Sequence, residues 1–273
     1  MIKAKKSLGQ NFLSDKNVSR RIVESVSPQK GDLIIEIGPG TGALTRLLTE
    51  AAGRVIAFEI DTRLVEELRE SLSASNLEII EADALDLNWR QFLTERRRSG
   101  TDGLRVRVVA NLPYYISTPI LQKLIEHHDM IFDLTLMLQS EVVERITADP
   151  GGRDYGYLSV LVQYYSEARK LFDVPPTAFR PVPKVHSAVV RLVMRERPPV
   201  EVSSEGDFFV LVRAAFAQRR KTILNNLKAA HTRFAFNIPI EQALEQAKID
   251  SRTRAEALSI ADFAALHRAM SQG

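Results

Sequence analysis

Cysteine is absent from all 273 residues, which excludes disulfides, thiolate metal centres and cysteine nucleophiles together. Histidine is scarce, and its five positions (127, 128, 186, 231 and 267) lack ligand spacing, so no metal site is expected. No apolar run is long enough to span a bilayer. The N-terminal stretch Met1-Ile2-Lys3-Ala4-Lys5-Lys6-Ser7 is basic but has no apolar segment of the kind that directs secretion. Low-complexity tracts and internal repeats are missing too. The expectation is a soluble, cytoplasmic protein without membrane or metal partners, acting as a monomer.

Neither sign of charge dominates the whole, with 37 basic residues against 34 acidic ones. The balance is uneven along the chain. Residues 191–273 hold 13 Lys and Arg against 9 Asp and Glu, whereas residues 1–190 hold 24 against 25. Lys3, Lys5 and Lys6 form a second basic cluster, and Arg96-Arg97-Arg98 a third, on an expected loop before Gly100. Such clusters suit a phosphate backbone or plain solvation. With 45% hydrophobic residues, the chain is long enough to bury a full core, as one large domain and a smaller one.

From residue 32 to about 138, short apolar runs alternate with amphipathic stretches. Strands are expected at residues 33–37, 55–58, 77–80, 106–110 and 134–138, with helices at 43–52 and 62–73 between the early ones. This alternation predicts an α/β fold with a parallel, doubly wound sheet and right-handed crossovers. Residues 160–165 and 188–193 read as β-rich and predict a hairpin-like edge. Arg197-Pro198-Pro199, followed by Ser203, Ser204 and Gly206, reads as a linker. Beyond it, residues 207–217, 222–231, 241–247 and 260–270 predict a small all-helical domain. The expected division is residues 1–198 and 199–273.

Two segments carry candidate chemistry. Asn111-Leu112-Pro113-Tyr114 follows the fourth strand and precedes a helical stretch from about Ile116. Ligands in open α/β sheets bind beyond the carboxyl ends of strands. A carboxamide, a free carbonyl, a stiffening proline and an aromatic ring suit a planar base bearing an amine. The same residues also suit a proline turn with a core tyrosine. Glu36-Ile37-Gly38-Pro39-Gly40-Thr41-Gly42 lies between the first strand and helix, where close glycines let the backbone approach a nucleotide-like cofactor. Ala43 satisfies the nicotinamide fingerprint, whereas the extra Gly42 and the acidic Glu36 favour S-adenosylmethionine. Glu59, ending the second strand, suits a ribose hydroxyl in either case. Asp83, after the third, suits the cofactor adenine's amine or the cap of the next helix.

Gln10-Asn11-Phe12-Leu13, the loop from Glu36 to Thr45, Asn111-Leu112-Pro113-Tyr114 and Phe179-Arg180-Pro181-Val182-Pro183-Lys184-Val185 share an order and spacing. Phe216-Ala217-Gln218-Arg219-Arg220-Lys221 and Asn225-Asn226-Leu227 follow. In these the chain resembles, over nearly its whole length, the small-subunit (16S) ribosomal RNA adenine N6,N6-dimethyltransferases. The resemblance implies a Rossmann-like class I S-adenosylmethionine-dependent methyltransferase sheet with a small C-terminal helical domain. It implies an enzyme that methylates N6 of two adjacent adenosines near the 3′ end of 16S rRNA, within the small ribosomal subunit or its precursor. Asn11 and Leu13 would close over the methionine part of the cofactor, Gly38 and Gly40 would meet it at the loop, Glu59 at the ribose and Asp83 at the adenine. Asn111 would touch cofactor and target, beside Leu112, and Tyr114 and Phe179 would sandwich the target base. Lys184, Arg219, Arg220 and Lys221 are the expected RNA contacts.

The chemistry is consistent with that assignment. Adenine N6 is a poor nucleophile because its lone pair is delocalised into the ring. Acceptors at the Asn111 side chain and the Leu112 carbonyl would let the nitrogen become tetrahedral, so catalysis rests on positioning and electrostatics. Large-subunit RNA adenine methyltransferases of the macrolide-resistance type share this chemistry, but Pro39, Thr41, Leu112 and Tyr115 look closer to the small-subunit group. DNA adenine methyltransferases usually carry an acidic residue where Asn111 stands. A nucleic-acid-binding factor without activity is the alternative from another class.

Overall fold

The computed structural model describes residues 3–5, 8–97, 104–230 and 238–271. Its elements are β1 (Phe12–Leu13), α1 (Lys16–Val26), β2 (Asp32–Ile37), α2 (Thr45–Ala51), β3 (Arg54–Glu59), α3 (Thr62–Ser71), β4 (Leu77–Glu81) and α4 (Trp89–Arg96). They continue with β5 (Arg105–Asn111), α5 (Ser117–Ile125), β6 (Asp133–Gln139), α6 (Ser140–Thr147), α7 (Tyr157–Tyr165), β7 (Ser166–Val174), β8 (Phe179–Arg180) and β9 (Ser187–Met194). Helices α8 (Glu205–Ala215), α9 (Ile223–Ala229), α10 (Ile240–Gln246) and α11 (Ile260–Ser271) complete the chain. The chain divides into two compact units, Met1–Val143 with Glu167–Met194, and Glu144–Ser166 with Arg195–Gly273.

The first unit carries a seven-stranded sheet in the order β4-β3-β2-β5-β6-β9-β7. Strands β4, β3, β2, β5 and β6 pair in parallel, and β9 runs antiparallel to β6. The five expected strands are all present. Every residue of β2 is buried, as expected for a parallel strand covered on both faces. Between β2 and β5 the strand order reverses, which opens a crevice beyond their carboxyl ends.

At the other end of the same strands lies a buried ionic clasp. Arg107, 2% exposed, donates from Nε and Nη2 to Asp133 at 2.8 and 2.6 Å, and from Nη1 to Asp32 at 3.1 Å. Arg105 adds a second contact to Asp32, and Arg191 a second to Asp133. The clasp thus ties β2, β5, β6 and β9 together.

Two expectations need correction. Residues 160–165 form helix α7 rather than a strand, and the edge strand beside β9 is β7. Val-Leu-Val-Gln-Tyr-Tyr favours β locally, but intrinsic preference is a weak prior against packing. As a helix the segment buries Val160 and Tyr164 in the second unit's core with Phe208, Leu211 and Phe263. Gln163 Nε2 also caps the carbonyls of Ile146 and Ala148. The second correction concerns the division at residue 198. The break falls after Met194, and residues 144–166 belong with the C-terminal helices because α7 supplies part of their core. Arg195, ahead of the expected linker, already pairs its N–H with Tyr165 O at 2.9 Å. The four C-terminal helices stand near their expected places; His231, given to the second of them, lies outside the described residues.

Arg107→Met leaves two buried carboxylates without their shared partner. We expect a loss of about 3–5 kcal/mol of unfolding free energy, measured by urea denaturation, and a smaller loss for the more exposed Arg191→Met. An unchanged midpoint for Arg107→Met would show that the clasp adds nothing to stability.

Candidate functional site

One cavity of about 220 Å³ opens beyond the carboxyl ends of β2, β3 and β5. Gly38, Gly40, Glu59, Asp83, Asn11, Leu13, Asn111, Leu112, Tyr114 and Phe179 all line it. The register explains the meeting. Ile37 pairs with Ala110 at the last rung of the β2–β5 ladder, so the glycine loop and the tetrapeptide leave the sheet side by side.

Glu59 organises the loop. Its Oε2 accepts from Gly40 N at 3.2 Å, and its Oε1 from Ile60 N and Asp61 N, each at 3.0 Å. Burial pushes its pKa up, while these N–H groups pull it down. Gly40 has φ +57, a backbone that side chains rarely adopt, and a Cβ there would stand 3.1 Å from the Phe12 ring, so a side chain would strain the loop and press on the N-terminal segment. Gly42, which favoured one cofactor in the sequence, does not line the cavity. A Cβ on it would lie 2.9 Å from Leu68 of α3, so packing accounts for this glycine.

Glu36 lines the same cavity at the start of the loop, 1% exposed. Its Oε2 has no hydrogen-bond partner among the described residues. Burial raises its pKa to about 8, the Thr45 hydroxyl beside it pulls the other way, and the nearby Glu59 carboxylate adds to the rise. The group is therefore largely neutral near pH 7.

The N-terminal segment is strapped across the cavity by contacts that sequence spacing does not reveal. Lys5 Nζ and Gln10 Nε2 both reach Asp61, at 3.0 and 3.1 Å. Hydrogen bonds from Arg63 hold Asp61 well below the usual carboxylate range, so the latch keeps its charge. Asn111 Nδ2 donates to Asn11 O at 3.3 Å. β1 pairs with β8, which sets Leu13 against Phe179.

Around the tetrapeptide, Leu112 N donates to Met137 O at 3.3 Å, while the Leu112 carbonyl enters no turn or ladder hydrogen bond among the described residues. Tyr114 OH pairs with Ser187 Oγ at 2.8 Å. Phe179 is 1% exposed and belongs to the hydrophobic core, so its ring reaches the cavity as part of a packed wall. Asp83 Oδ1 accepts from Leu85 N at 2.8 Å within a short turn; the next helix, α4, is capped by Asn88 instead, and Asp83 faces the cavity.

The basic clusters divide. Arg96 ends α4 rather than lying on a loop and pairs with Glu78 at 2.6 Å, and Arg97 donates to Met130 O. Helix α4 continues under Trp89 and Leu93, which are buried, and this carries Arg96 back onto the sheet edge. Arg98, Gly100 and Lys6 lie outside the described residues. Lys184 is exposed on the β8–β9 loop and does not line the cavity. In the second unit, Arg219, Arg220 and Lys221 are exposed on the α8–α9 turn and line a shallow pocket with Gln218. Arg219 donates to Arg153 O. Buried Asn226 donates to Ala215 O at 2.7 Å and Gln218 O at 3.1 Å, bracing that turn.

The sheet order and the glycine loop at its switch point define a class I S-adenosylmethionine-dependent methyltransferase fold. The chain belongs to the ribosomal RNA adenine dimethylase family, whose pattern matches residues 1–270. Ribosomal RNA small subunit methyltransferase A of Geobacillus sp. (strain WCH70) is 48% identical over 268 residues, 97% of this chain and 91% of that protein. The protein of the same name from Shouchella clausii (strain KSM-K16) is 48% identical over 267 residues, 97% and 89% of the two chains. Among solved structures, a dimethyladenosine transferase from Plasmodium falciparum matches with a TM-score of 0.75 at 28% identity, covering 93% of this chain and 95% of that one. The 23S rRNA methyltransferase ErmE matches with 0.73 at 28% identity, covering 96% and 100%.

Glu36 makes stability depend on pH. Its carboxyl titrates near 4.5 when exposed and near 8 in the fold. Its contribution is fully present below pH 4.5 and is lost as pH rises to 8, because the folded state alone holds the proton across that window. At about 1.36 kcal/mol per unit, the change is on the order of 5 kcal/mol. Glu36→Gln should flatten this slope in denaturation series between about pH 5 and about pH 8.5; equal slopes for both proteins would mean Glu36 is charged throughout.

Proposed function

We propose that the protein transfers methyl groups from S-adenosylmethionine to N6 of two adjacent adenosines near the 3′ end of 16S rRNA. The product is N6,N6-dimethyladenosine, formed on a precursor of the small subunit during ribosome biogenesis. The observation that carries this reading is the Asn111 side chain and the free Leu112 carbonyl at the mouth of the glycine-loop crevice. The two fold neighbours have nearly equal TM-scores, so fold does not decide between small- and large-subunit RNA. The relatives at 48% identity, named for the small subunit, favour the former.

The cavity suits the cofactor in its donor set. Glu59 keeps acceptor capacity for ribose hydroxyls beyond its three N–H contacts, Asp83 presents a carboxylate to an adenine amine, and Gly38 and Gly40 leave room at the loop. Asn11 and Leu13, on the strapped segment, close the methionine side. S-adenosylmethionine, when bound, supplies an electrophilic methyl group. Asn111 Oδ1 and Leu112 O accept the two N6 hydrogens and free the nitrogen lone pair. Tyr114, fixed through Ser187, and Phe179, fixed in the core, hold the base by its faces. That contact offsets unstacking by about 1–3 kcal/mol per base. No side chain has to remove a proton before attack, since the alkylated nitrogen is acidic and loses its proton to water. Lys184, Arg219, Arg220 and Lys221 are the phosphate contacts.

The test supplies labelled S-adenosylmethionine with immature small subunits, large-subunit RNA or DNA. Label in small-subunit rRNA alone is expected. Label confined to the other acceptors sinks the substrate assignment, and no transfer to any of them favours a binding factor. Asn111→Ala should abolish transfer while RNA affinity is kept, and equal loss of both would make the tetrapeptide structural. Replacing Arg219, Arg220 and Lys221 together by Ala should reduce the slope of log affinity against log salt by about 2–3. An unchanged slope rules out phosphate contact there.

A further inference from the structure

Tyr115, directly after the tetrapeptide, has no part in the chemistry above. It lines the cavity yet is 59% exposed, the most exposed of the large hydrophobic side chains there. An exposed tyrosine alone is ordinary. This one is held in place. Ile116 N donates to Pro113 O and Ser117 Oγ to Tyr114 O, so the backbone around it is a closed turn. The ring lies against the strap at Gly9, which has φ +56, and a Cβ there would stand 3.0 and 3.1 Å from ring Cδ1 and Cε1. One edge of the ring is therefore backed by main chain, and the rest meets solvent at the cavity mouth. A ring fixed before binding loses little freedom when a partner stacks on it.

We propose that Tyr115 holds the second adenine of the adjacent pair while the first lies against Asn111, a role that rests on the small-subunit reading above. Turning one base out of a strand uncovers a face of its neighbour. That neighbour lies one nucleotide from the cavity, and an aromatic ring at the mouth replaces the lost stack. A strand enters with one polarity, so Tyr115 meets the neighbour on one side only. Its contribution therefore falls on one of the two target adenosines more than on the other.

The test measures initial dimethylation rates at each adenosine separately, by mass spectrometry of digested RNA from undermethylated small subunits. Tyr115→Ala should shift the ratio of the two rates by about 5- to 150-fold, the loss of about one stacked base. Tyr115→Phe should keep the wild-type ratio. An unchanged ratio in Tyr115→Ala overturns the role, whatever happens to the total. If affinity for S-adenosylmethionine falls as well while the ratio stands, the ring only supports the strap at Gly9. A wild-type protein that modifies neither adenosine contradicts the functional reading itself, and is recognised before any variant is made.

Discussion

The parallel pairing of β2 with β5 is the constraint on which the rest depends. Its final rung, Ile37 with Ala110, delivers the glycine loop and Asn111 into one crevice. A Cβ on Gly38 would stand 3.9 Å from Asn111 O, so the two segments run almost in contact. A slip of one residue would turn every side chain to the opposite face. Apolar burial gives little protection against that slip, because both strands are buried on both faces. A fixed ion pair does distinguish registers. Arg107 reaches Asp32 and Asp133 only when β2, β5 and β6 are aligned as found, so a clasp at one end of the sheet determines which residues meet at the other.

Near the crevice, carboxyl groups are sorted by environment. Asp61, ringed by Arg63, Lys5 and Gln10, is kept ionised and anchors the N-terminal strap by charge. Glu36, buried without a partner for Oε2, is pushed towards its neutral form. Glu59 stands between them and spends its oxygens on backbone N–H groups of the loop and of the turn into α3. A neutral Glu36 spares Glu59 a like charge close by. The loop, the strap and the start of α3 thus share one electrostatic node.

Much of this was legible in the sequence, because strand rhythm and the two turn motifs are local signals. The parallel strands stood out as apolar runs, and Asn111 and Gly38 stood at strand ends where ligands bind. What escaped was non-local. Residues 160–165 carry β-forming side chains, and only the packing of Tyr164 against Phe208 and Phe209 makes them helical. The same contacts draw residues 144–166 out of the sheet unit, which no break in composition marks. Lys5 and Gln10 meet Asp61 across more than fifty positions. Gly42 favoured the right class of cofactor for a reason the structure does not supply: it stays off the cavity, with φ +78 and Leu68 of α3 beside it, and a glycine that a turn needs has the same letter as one that a ligand needs. Phe179, close to two prolines in the sequence, suits plain core as well as a motif, and the structure gives it both places.

The proposed double methylation also bears on why the tetrapeptide begins with an amide. In the first round the adenine amine offers two hydrogens to the two acceptors, Asn111 Oδ1 and Leu112 O. In the second it offers one, so one acceptor must face a methyl group instead. Leaving a neutral carbonyl unpaired in a desolvated site costs about 1–3 kcal/mol, and a charged group costs more. A carboxylate at residue 111 would bind the unmodified amine more strongly and the monomethylated one at a greater penalty. It would also add a negative charge to a cavity that already holds Glu59 and Asp83. Asn111, anchored through its Nδ2 to Asn11 O, keeps its oxygen directed without carrying charge. One site can then serve the same nitrogen twice.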